Sequence, residues 1–133
     1  MATKQTLLIT KYIRKIIVEN IKALNSRVYA LDARTGTQLP FAVLIRDSVM
    51  TSSLTKDGLA EDTVGVSVYI VSRGYDDGVT IANDIRNLLD RTKYTTNDIN
   101  IPLITFEGAD ETYTDTPSPA FIQQLRFTVK VGF

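Results

Sequence analysis

The sequence predicts an α+β domain with a mixed, largely antiparallel β-sheet flanked by two α-helices. The strongest evidence is the stretch from Asp62 to Ser72, where valine or isoleucine occupies every second position from Val64 to Ile70. Because side chains alternate between the two faces of a strand, these apolar residues point to one side. After Arg73-Gly74 the period lengthens to that of an amphipathic helix from Tyr75 to Leu89. A strand that runs directly into such a helix predicts a sheet with a helix on one face.

The elements before this unit follow from the same two periods. The stretch from about Thr6 to Leu24 carries isoleucines at helical spacing and predicts the first helix, which Asn25-Ser26 would end. Short strands are predicted from Arg27 to Leu31 and from Phe41 to Arg46. Strands and helices do not alternate strictly along the chain. A mixed or largely antiparallel sheet is therefore favoured over a doubly wound one.

A long polar segment, Asp47 to Glu61, separates two predicted strands. It is longer than an ordinary connection, so we expect either a loop or an extended β-hairpin arm, and Asp57-Gly58 is a hairpin turn signal that favours the arm. Such an arm would bury its apolar side chains against a neighbouring subunit. The predicted contact residues are Val49, Met50, Leu54 and Leu59.

The second half of the chain is predicted to close the sheet. Lys93 to Asp98 is expected to be a polar linker, and Ile99 to Phe106 a strand that Pro102 makes an edge strand or a bulged one. A second long loop is expected from Glu107 to Pro119, and Phe121 to Phe133 alternates cleanly enough to predict a half-buried strand. The loop is acidic, and its predicted lumen-facing or partner-facing carboxylates are Glu107, Asp110, Glu111 and Asp115.

Composition limits the function classes. The 133 residues fit one domain, and 15 basic and 15 acidic residues give a formal net charge of +0. This balance argues against a dedicated nucleic-acid binder and against electrostatic docking to anionic lipid. Cysteine and histidine are both absent, which excludes disulfides, thiol nucleophiles and histidine-based acid–base chemistry within this chain. Lacking an apolar leader or span, the protein is expected to be soluble and made in the cytoplasm.

No motif for catalysis, cofactor binding or metal binding stands out. The sequence has no Gly-rich phosphate loop and no nucleophile elbow, and the acidic 107–119 segment does not match the twelve-residue calcium loop. Asp76-Asp77 is better explained by its place before the second helix, where carboxylates complement the positive end of the helix dipole. We therefore expect no enzyme, no cofactor and no metal site.

Several short runs carry a resemblance to a known family. They are Gly36-Thr-Gln-Leu-Pro-Phe41, Arg46-Asp-Ser48, Lys56-Asp-Gly-Leu-Ala-Glu-Asp-Thr-Val64, Val66-Ser-Val68 and the helix from Tyr75 to Leu89. In this order the chain resembles the small tail-completion, or tail-terminator, proteins of long-tailed bacteriophages and prophages. The resemblance covers most of the chain and implies a compact mixed sheet flanked by helices, without catalytic residues.

The resemblance also implies partners and a location. Such proteins assemble as a ring, often sixfold, at the head-proximal end of the tail tube, where they stop tube polymerisation and face the head-completion proteins. A virion protein of the tail or neck, assembled in the host cytoplasm and touching passing DNA only non-specifically, is the expected identity. Independently, a cyclic homo-oligomer needs two complementary surfaces, and the predicted arm and a sheet edge near Pro102 would supply them.

Three alternatives remain open at this stage. One is a head–tail connector or neck protein of the same particle. Another is a small metal-binding or ligand-binding domain that uses the acidic loop, which calorimetry with calcium would detect. The third is a carboxylate-dependent hydrolase, which requires two acidic residues of different acidity in one pocket.

Overall fold

A computed structural model describes residues 6–31, 38–51, 62–95, 100–115 and 119–132. They form a six-stranded sheet in the order β1-β2-β3-β6-β5-β4, and two α-helices pack against one face. The elements are α1 (Ile9–Asn20), β1 (Val28–Ala30), β2 (Phe41–Thr51), β3 (Asp62–Ser72), α2 (Tyr75–Leu89), β4 (Thr92–Thr95), β5 (Asn100–Thr114) and β6 (Ala120–Gly132). Among the strands that the structure describes, only the β1–β2 pair is parallel. The predicted α+β class with a largely antiparallel sheet is confirmed.

Strand β3 is the centre of the sheet and has the predicted bounds. It pairs along its whole length with β6 and along most of it with β2. Its four alternating apolar residues are at most 1% exposed, because they face the helices: Val64, Val66, Val68 and Ile70. The chain then turns through Arg73-Gly74 into α2, as the change of period predicted.

Helix α2 approaches β3 closely at one glycine. Gly78 is buried and faces Ser72, so that a Cβ added at Gly78 would lie well inside van der Waals distance of the Ser72 hydroxyl. That hydroxyl donates a 2.9 Å hydrogen bond to the Gly74 carbonyl. Asp76 and Asp77 lie in the first turn, as expected, but no side chain caps the helix at Gly74.

Helix α1 occupies the middle of the predicted first helix. Short 3-10 turns, Thr6–Leu8 and Lys22–Leu24, extend it at both ends, and Asn25 ends the segment in a left-handed conformation with φ 48°. Its apolar stripe faces the sheet, because Ile9, Ile13 and Ile17 are almost fully buried. The opposite side of the helix remains in solvent.

The first long excursion starts later than predicted. Asp47 to Thr51 belong to β2 and pair with β3 as far as Asp62, so the expected loop or arm at 47–61 is strand for its first five positions. Polar residues can continue this strand because a register irregularity lies at Asp47, whose carboxylate accepts a 2.6 Å hydrogen bond from the Ser67 hydroxyl. The predicted contact residues Leu54 and Leu59 lie outside the described residues.

The predicted linker after α2 is wrong in part. Thr92–Thr95 forms β4, which pairs with the start of β5. The expected sheet edge near Pro102 is therefore also wrong, because β4 and β6 lie on either side of this part of β5. The alternative expectation of a bulge is confirmed: the β5–β6 register shifts between Asn100 and Leu103, where proline cannot donate a ladder hydrogen bond.

The largest correction concerns the acidic segment. Residues Glu107 to Thr114 do not form a loop; they continue β5 and pair with β6 from Arg126 back to Ala120. Because this part of β5 is polar on both faces, it lacks the alternation that identifies a half-buried strand. Its pairing with the well-patterned β6 keeps it extended. Of the predicted loop, Asp115 and Pro119 are described outside the strands.

Within the described residues no helix is long and apolar enough to cross a membrane.

Candidate assembly surfaces

Two strand edges lack a strand partner over part of their length. On one side of the sheet, β1 pairs with β2 only from Ala42 to Leu44. On the other side, β4 pairs with β5 only from Asn100 to Ile104. Among the described residues, no strand pairs with the outer side of β2 beyond Leu44 or of β5 beyond Ile104. Such edges present backbone donors and acceptors to a second chain, although at β5 the Phe106 amide already donates a 2.9 Å hydrogen bond to the Asp90 carboxylate.

Near the unpaired part of β5, three aromatic rings form a cluster. Phe121 of β6 contacts Tyr75 at the start of α2, with ring centroids 5.7 Å apart, and Tyr113 of β5, at 5.1 Å. Tyr75 and Tyr113 are 47% and 51% exposed. Val79, one helical turn beyond Tyr75, is also exposed. The cluster is thus an amphipathic surface of the kind enriched at protein interfaces.

Carboxylates surround this cluster. The amide nitrogen of Gln123 donates a 2.9 Å hydrogen bond to Glu111. This bond, followed by one from the Tyr75 hydroxyl, lowers the pKa of Glu111. The hydrogen bond between Tyr75 and Glu111, and then the negative charge of Glu111, raise the pKa of Tyr75. A hydrogen bond to Asp115 raises the pKa of Tyr113. We call the residues Tyr75, Val79, Glu111, Tyr113 and Asp115 the acidic edge.

The other two predicted carboxylates are placed differently. Asp110 forms an ion pair with Arg126 of the neighbouring strand. Glu107 is exposed at a register irregularity between Phe106 and Gly108. The four residues predicted to face a lumen or a partner thus share one strand and its end, although Asp110 already has a cation.

The opposite edge of the sheet, at β1 and β2, carries exposed leucines around an arginine. Arg46 of β2 donates a 2.6 Å hydrogen bond to the carbonyl of Leu7. Leu31 follows β1, and its amide donates a 2.8 Å hydrogen bond to the Leu44 carbonyl of β2. Leu7 and Leu31 are 63% and 73% exposed, and a shallow depression between α1 and β2 is lined by Arg46, Leu31 and Thr10.

Helix α1 adds positive charge to this side. The Arg14 guanidinium donates a 2.6 Å hydrogen bond to the Val28 carbonyl, which places this face of α1 beside β1. Lys11 and Lys15 are exposed within one turn of Arg14, and Glu19 is the only acidic residue of the helix. We call this surface the basic edge; its residues are Leu7, Arg14, Leu31 and Arg46, and Lys11 and Lys15 add positive charge on the adjoining solvent side of α1.

The two described members of the predicted arm differ in their environment. Val49 pairs with Val64 and packs against the core from a half-buried position. Met50 pairs with Thr63 and is 68% exposed. Of the two, Met50 alone offers most of its side chain to a partner.

The described residues contain no group of three or more acidic side chains placed to hold a metal ion. Every buried side-chain nitrogen or oxygen among them has a hydrogen-bond partner. The buried polar side chains are Asp62, Ser67, Ser72 and Gln123. These groups serve the sheet and its hairpin, and they do not converge on a pocket.

Sequence reasoning identified Glu111 and Asp115 of the acidic edge as partner-facing, but it found neither the aromatic residues of that edge nor the basic edge. Tyr75 and Val79 are four residues apart on the polar side of α2, a spacing that places exposed apolar residues together and could have marked them. No comparable signal identifies Leu31 or Leu7, whose exposure depends on where β1 and β2 end.

The fold is shared with a protein of known structure. A chain described as part of the "Virion of native gene transfer agent (GTA) particle" matches with a TM-score of 0.68 and 14% sequence identity. The match covers 91% of this chain and 92% of that chain. No protein-family model matches the sequence, and no curated protein matches it either. The match shows a shared fold, and the structure confirms a mixed sheet with flanking helices.

Proposed function

We propose that this protein is a structural subunit of a phage-like virion and that it works as a tail terminator. The observation that carries the proposal is the fold match to a gene transfer agent virion chain over nearly the whole length of both chains. The motif resemblance to tail-completion proteins points to the same class. In this role the protein forms a ring, which we propose to be a hexamer. The ring caps the tail tube and joins it to the head-completion proteins.

The surfaces support a role through shape and assembly. A ring subunit needs two different surfaces that fit each other, and the described chain carries two partly unpaired strand edges on opposite sides of its sheet. Exposed apolar residues accompany both edges, among them Met50 on one side and Tyr113 on the other. Partner-facing use of the acidic segment is consistent with the exposed aromatic rings beside it.

Deletion of the gene from the genome that encodes the particle tests the terminator role. A particle without its terminator should contain tail tubes of uncontrolled, mostly excessive length, because nothing stops polymerisation at the head-proximal end. Electron microscopy of lysates measures tail length directly. Restoring the gene on a plasmid should return tails to a single length.

The same images separate the connector alternative. Loss of a head–tail connector leaves tails of normal length that are not joined to heads. Tails of normal length on complete, infectious particles would contradict both virion roles.

A further inference from the structure

Most exposed large apolar residues of the described chain divide between opposite sides of the sheet. Leu7, Leu8 and Leu31 accompany the β1–β2 side, and Tyr75, Val79 and Tyr113 accompany the β5–α2 side. Met50 and Leu103 lie apart from both groups, in one cross-strand row through Thr63 and Lys130. Because isolated apolar side chains are common on surfaces whereas grouped ones mark interaction sites, each group identifies a separate surface.

Charge is segregated in the same way. The basic edge carries Arg14 and Arg46, and Lys11 and Lys15 lie on the adjoining solvent side of α1. At the acidic edge, Glu111 accepts a hydrogen bond from Tyr75 in the first turn of α2, which adds Asp76, and Asp115 lies beside Tyr113. Three arginines lie near this side: Arg126 pairs with Asp110, Arg86 lies 4.2 Å from the centre of the Phe106 ring, and the exposed Arg73 lines a depression with Asp77. The formal net charge of +0 thus includes a group of cations at one edge and a group of carboxylates at the other.

Unpaired backbone groups are likewise found at two opposite edges of the sheet. The outer side of β2 beyond Leu44 and that of β5 beyond Ile104 have no strand partner among the described residues. Two such edges on different molecules can continue one sheet across an interface, with main-chain hydrogen bonds between them.

Leu31 adds a conformational observation. Its φ is 69°, a left-handed conformation that bulky L residues rarely adopt, and its side chain is 73% exposed. The hydrogen bond to the Leu44 carbonyl holds its amide, but the described residues leave most of its side chain in solvent. Contact with a second molecule would bury this side chain.

We infer that the basic edge of one subunit binds the acidic edge of the next, in a head-to-tail contact between copies of this chain. The inference rests on the proposed ring and deepens it by naming two complementary surfaces. The predicted arm stays a separate prediction, whereas the Pro102 edge is excluded because β4 pairs beside it. A contact between two different surfaces propagates in one direction, so it generates a closed ring or a filament and not a two-fold dimer.

Blocking one surface at a time tests the contact. Leu31→Asp places a negative charge on the basic edge, at a left-handed position that aspartate tolerates. Val79→Lys places a positive charge on the acidic edge, at an exposed helical position. Each variant alone should self-associate about tenfold or more weakly than the wild type in sedimentation equilibrium, because like charges would meet at the contact. Asn87→Lys, two turns farther along α2, is the matched control and should associate normally.

Mixing the two blocked variants provides the decisive result. Each retains the surface that the other lacks, so an equimolar mixture should recover association, whereas either variant alone should not. Unchanged melting temperatures would show that both variants fold. If one variant alone assembles as the wild type does, or if the mixture stays monomeric, the head-to-tail contact is wrong.

Cross-linking locates the contact, because the chain contains no native cysteine. An oxidised mixture of Leu31→Cys and Val79→Cys should give a disulfide-linked heterodimer, whereas each variant alone should stay uncross-linked. A wild type that remains monomeric at every concentration, with no cross-link in the mixture, overturns this contact. That outcome leaves the terminator role to the tail-length measurement, so failure of one proposal is distinguishable from failure of the other.

Discussion

Gly78 shows how one residue sets the distance between helix and sheet. Its Cα faces Ser72, and an added Cβ would meet both the hydroxyl and, at 3.3 Å, the Cβ of that serine. Gly78→Ala gains about 1 kcal/mol of helix propensity. Overpacking of a buried contact costs about 1–3 kcal/mol, so we expect a net loss of stability of about 1 kcal/mol. Thermal unfolding should show a fall of roughly 3–6 °C for a chain of this size.

A second substitution identifies the cause of that loss. Ser72→Ala removes the hydroxyl that the new methyl group would strike, so Ser72→Ala/Gly78→Ala should be more stable than the sum of the single effects predicts. Ser72→Ala alone should cost little, because the Gly74 carbonyl still accepts a 3.2 Å hydrogen bond from the Gly78 amide. Strict additivity would show that the two residues do not interact.

Glu111 carries a pH-dependent contribution to stability. Hydrogen bonds from Gln123 and then Tyr75 lower its pKa in the folded state. A lowered pKa stabilises the fold above the unfolded value of about 4.3, and this stabilisation disappears as pH falls through the folded value. The stability difference between wild type and Glu111→Gln should therefore be largest near neutral pH and should vanish in acid. Tyr75→Phe removes the smaller of the two causes and should have a weaker effect of the same sign.

Urea unfolding of these three proteins across pH measures that difference. Curves of midpoint against pH that run parallel from neutral to acid would show that the Glu111 hydrogen bonds do not affect its titration in the folded protein.

Among the elements, the sequence correctly predicts those that have one buried face and one exposed face. Strand β3 and helix α2 were predicted correctly because a buried face imposes a period on the apolar residues, as from Val64 to Ile70. The distal half of β5 has no such face, since Glu107 to Tyr113 are largely exposed, so its strand character depends on the partner β6 and not on its own pattern. Strand β4 was missed for a similar reason, because its four residues are at best half-buried.

The candidate surfaces were less predictable than the fold. The sequence identified the acidic residues around Glu111 but not the aromatic cluster beside them, because Tyr75, Tyr113 and Phe121 are distant in sequence and meet only through strand register. Met50 was proposed as a contact residue from its apolarity alone, and that argument could not separate it from the half-buried Val49.

The distal part of the β5–β6 hairpin is held by these aromatic contacts. Each ring pair contributes about 0.5–1.5 kcal/mol beyond the area that it buries. Phe121→Ala removes both pairs, so amide hydrogen exchange in β5 from Gly108 to Thr114 should become about tenfold faster or more. Amides of β3 should keep their protection, because local opening does not require global unfolding.

A core substitution is the matched comparison for Phe121→Ala. Val129 of β6 is 0% exposed, and Val129→Ala should lower protection throughout the sheet in proportion to global stability. If Phe121→Ala instead lowers protection of β3 and β5 equally, the hairpin is not an independent opening unit.

At the scale of the whole molecule, opposite charges on opposite edges make self-association sensitive to salt. With a formal net charge of +0, copies of the chain do not repel one another overall, so only the local pattern decides how they approach. Raising sodium chloride from about 0.1 M to about 1 M shortens the Debye length from about 10 Å to about 3 Å. Attraction between the basic and acidic edges would then be screened, while contact between Leu31 and the aromatic cluster would persist.

We therefore expect self-association of the wild type to weaken several-fold over this salt range without disappearing, because exposed charge pairs are screened whereas apolar burial is not. Sedimentation equilibrium at several salt concentrations measures the change. The double variant Glu111→Gln/Asp115→Asn should associate more weakly at low salt and should show a flatter salt dependence, since it keeps the apolar contact and loses two charges. Asp84→Asn, an exposed α2 substitution outside the acidic edge, should follow the wild type. Association that strengthens with salt in every variant would mean that apolar contact alone joins the subunits.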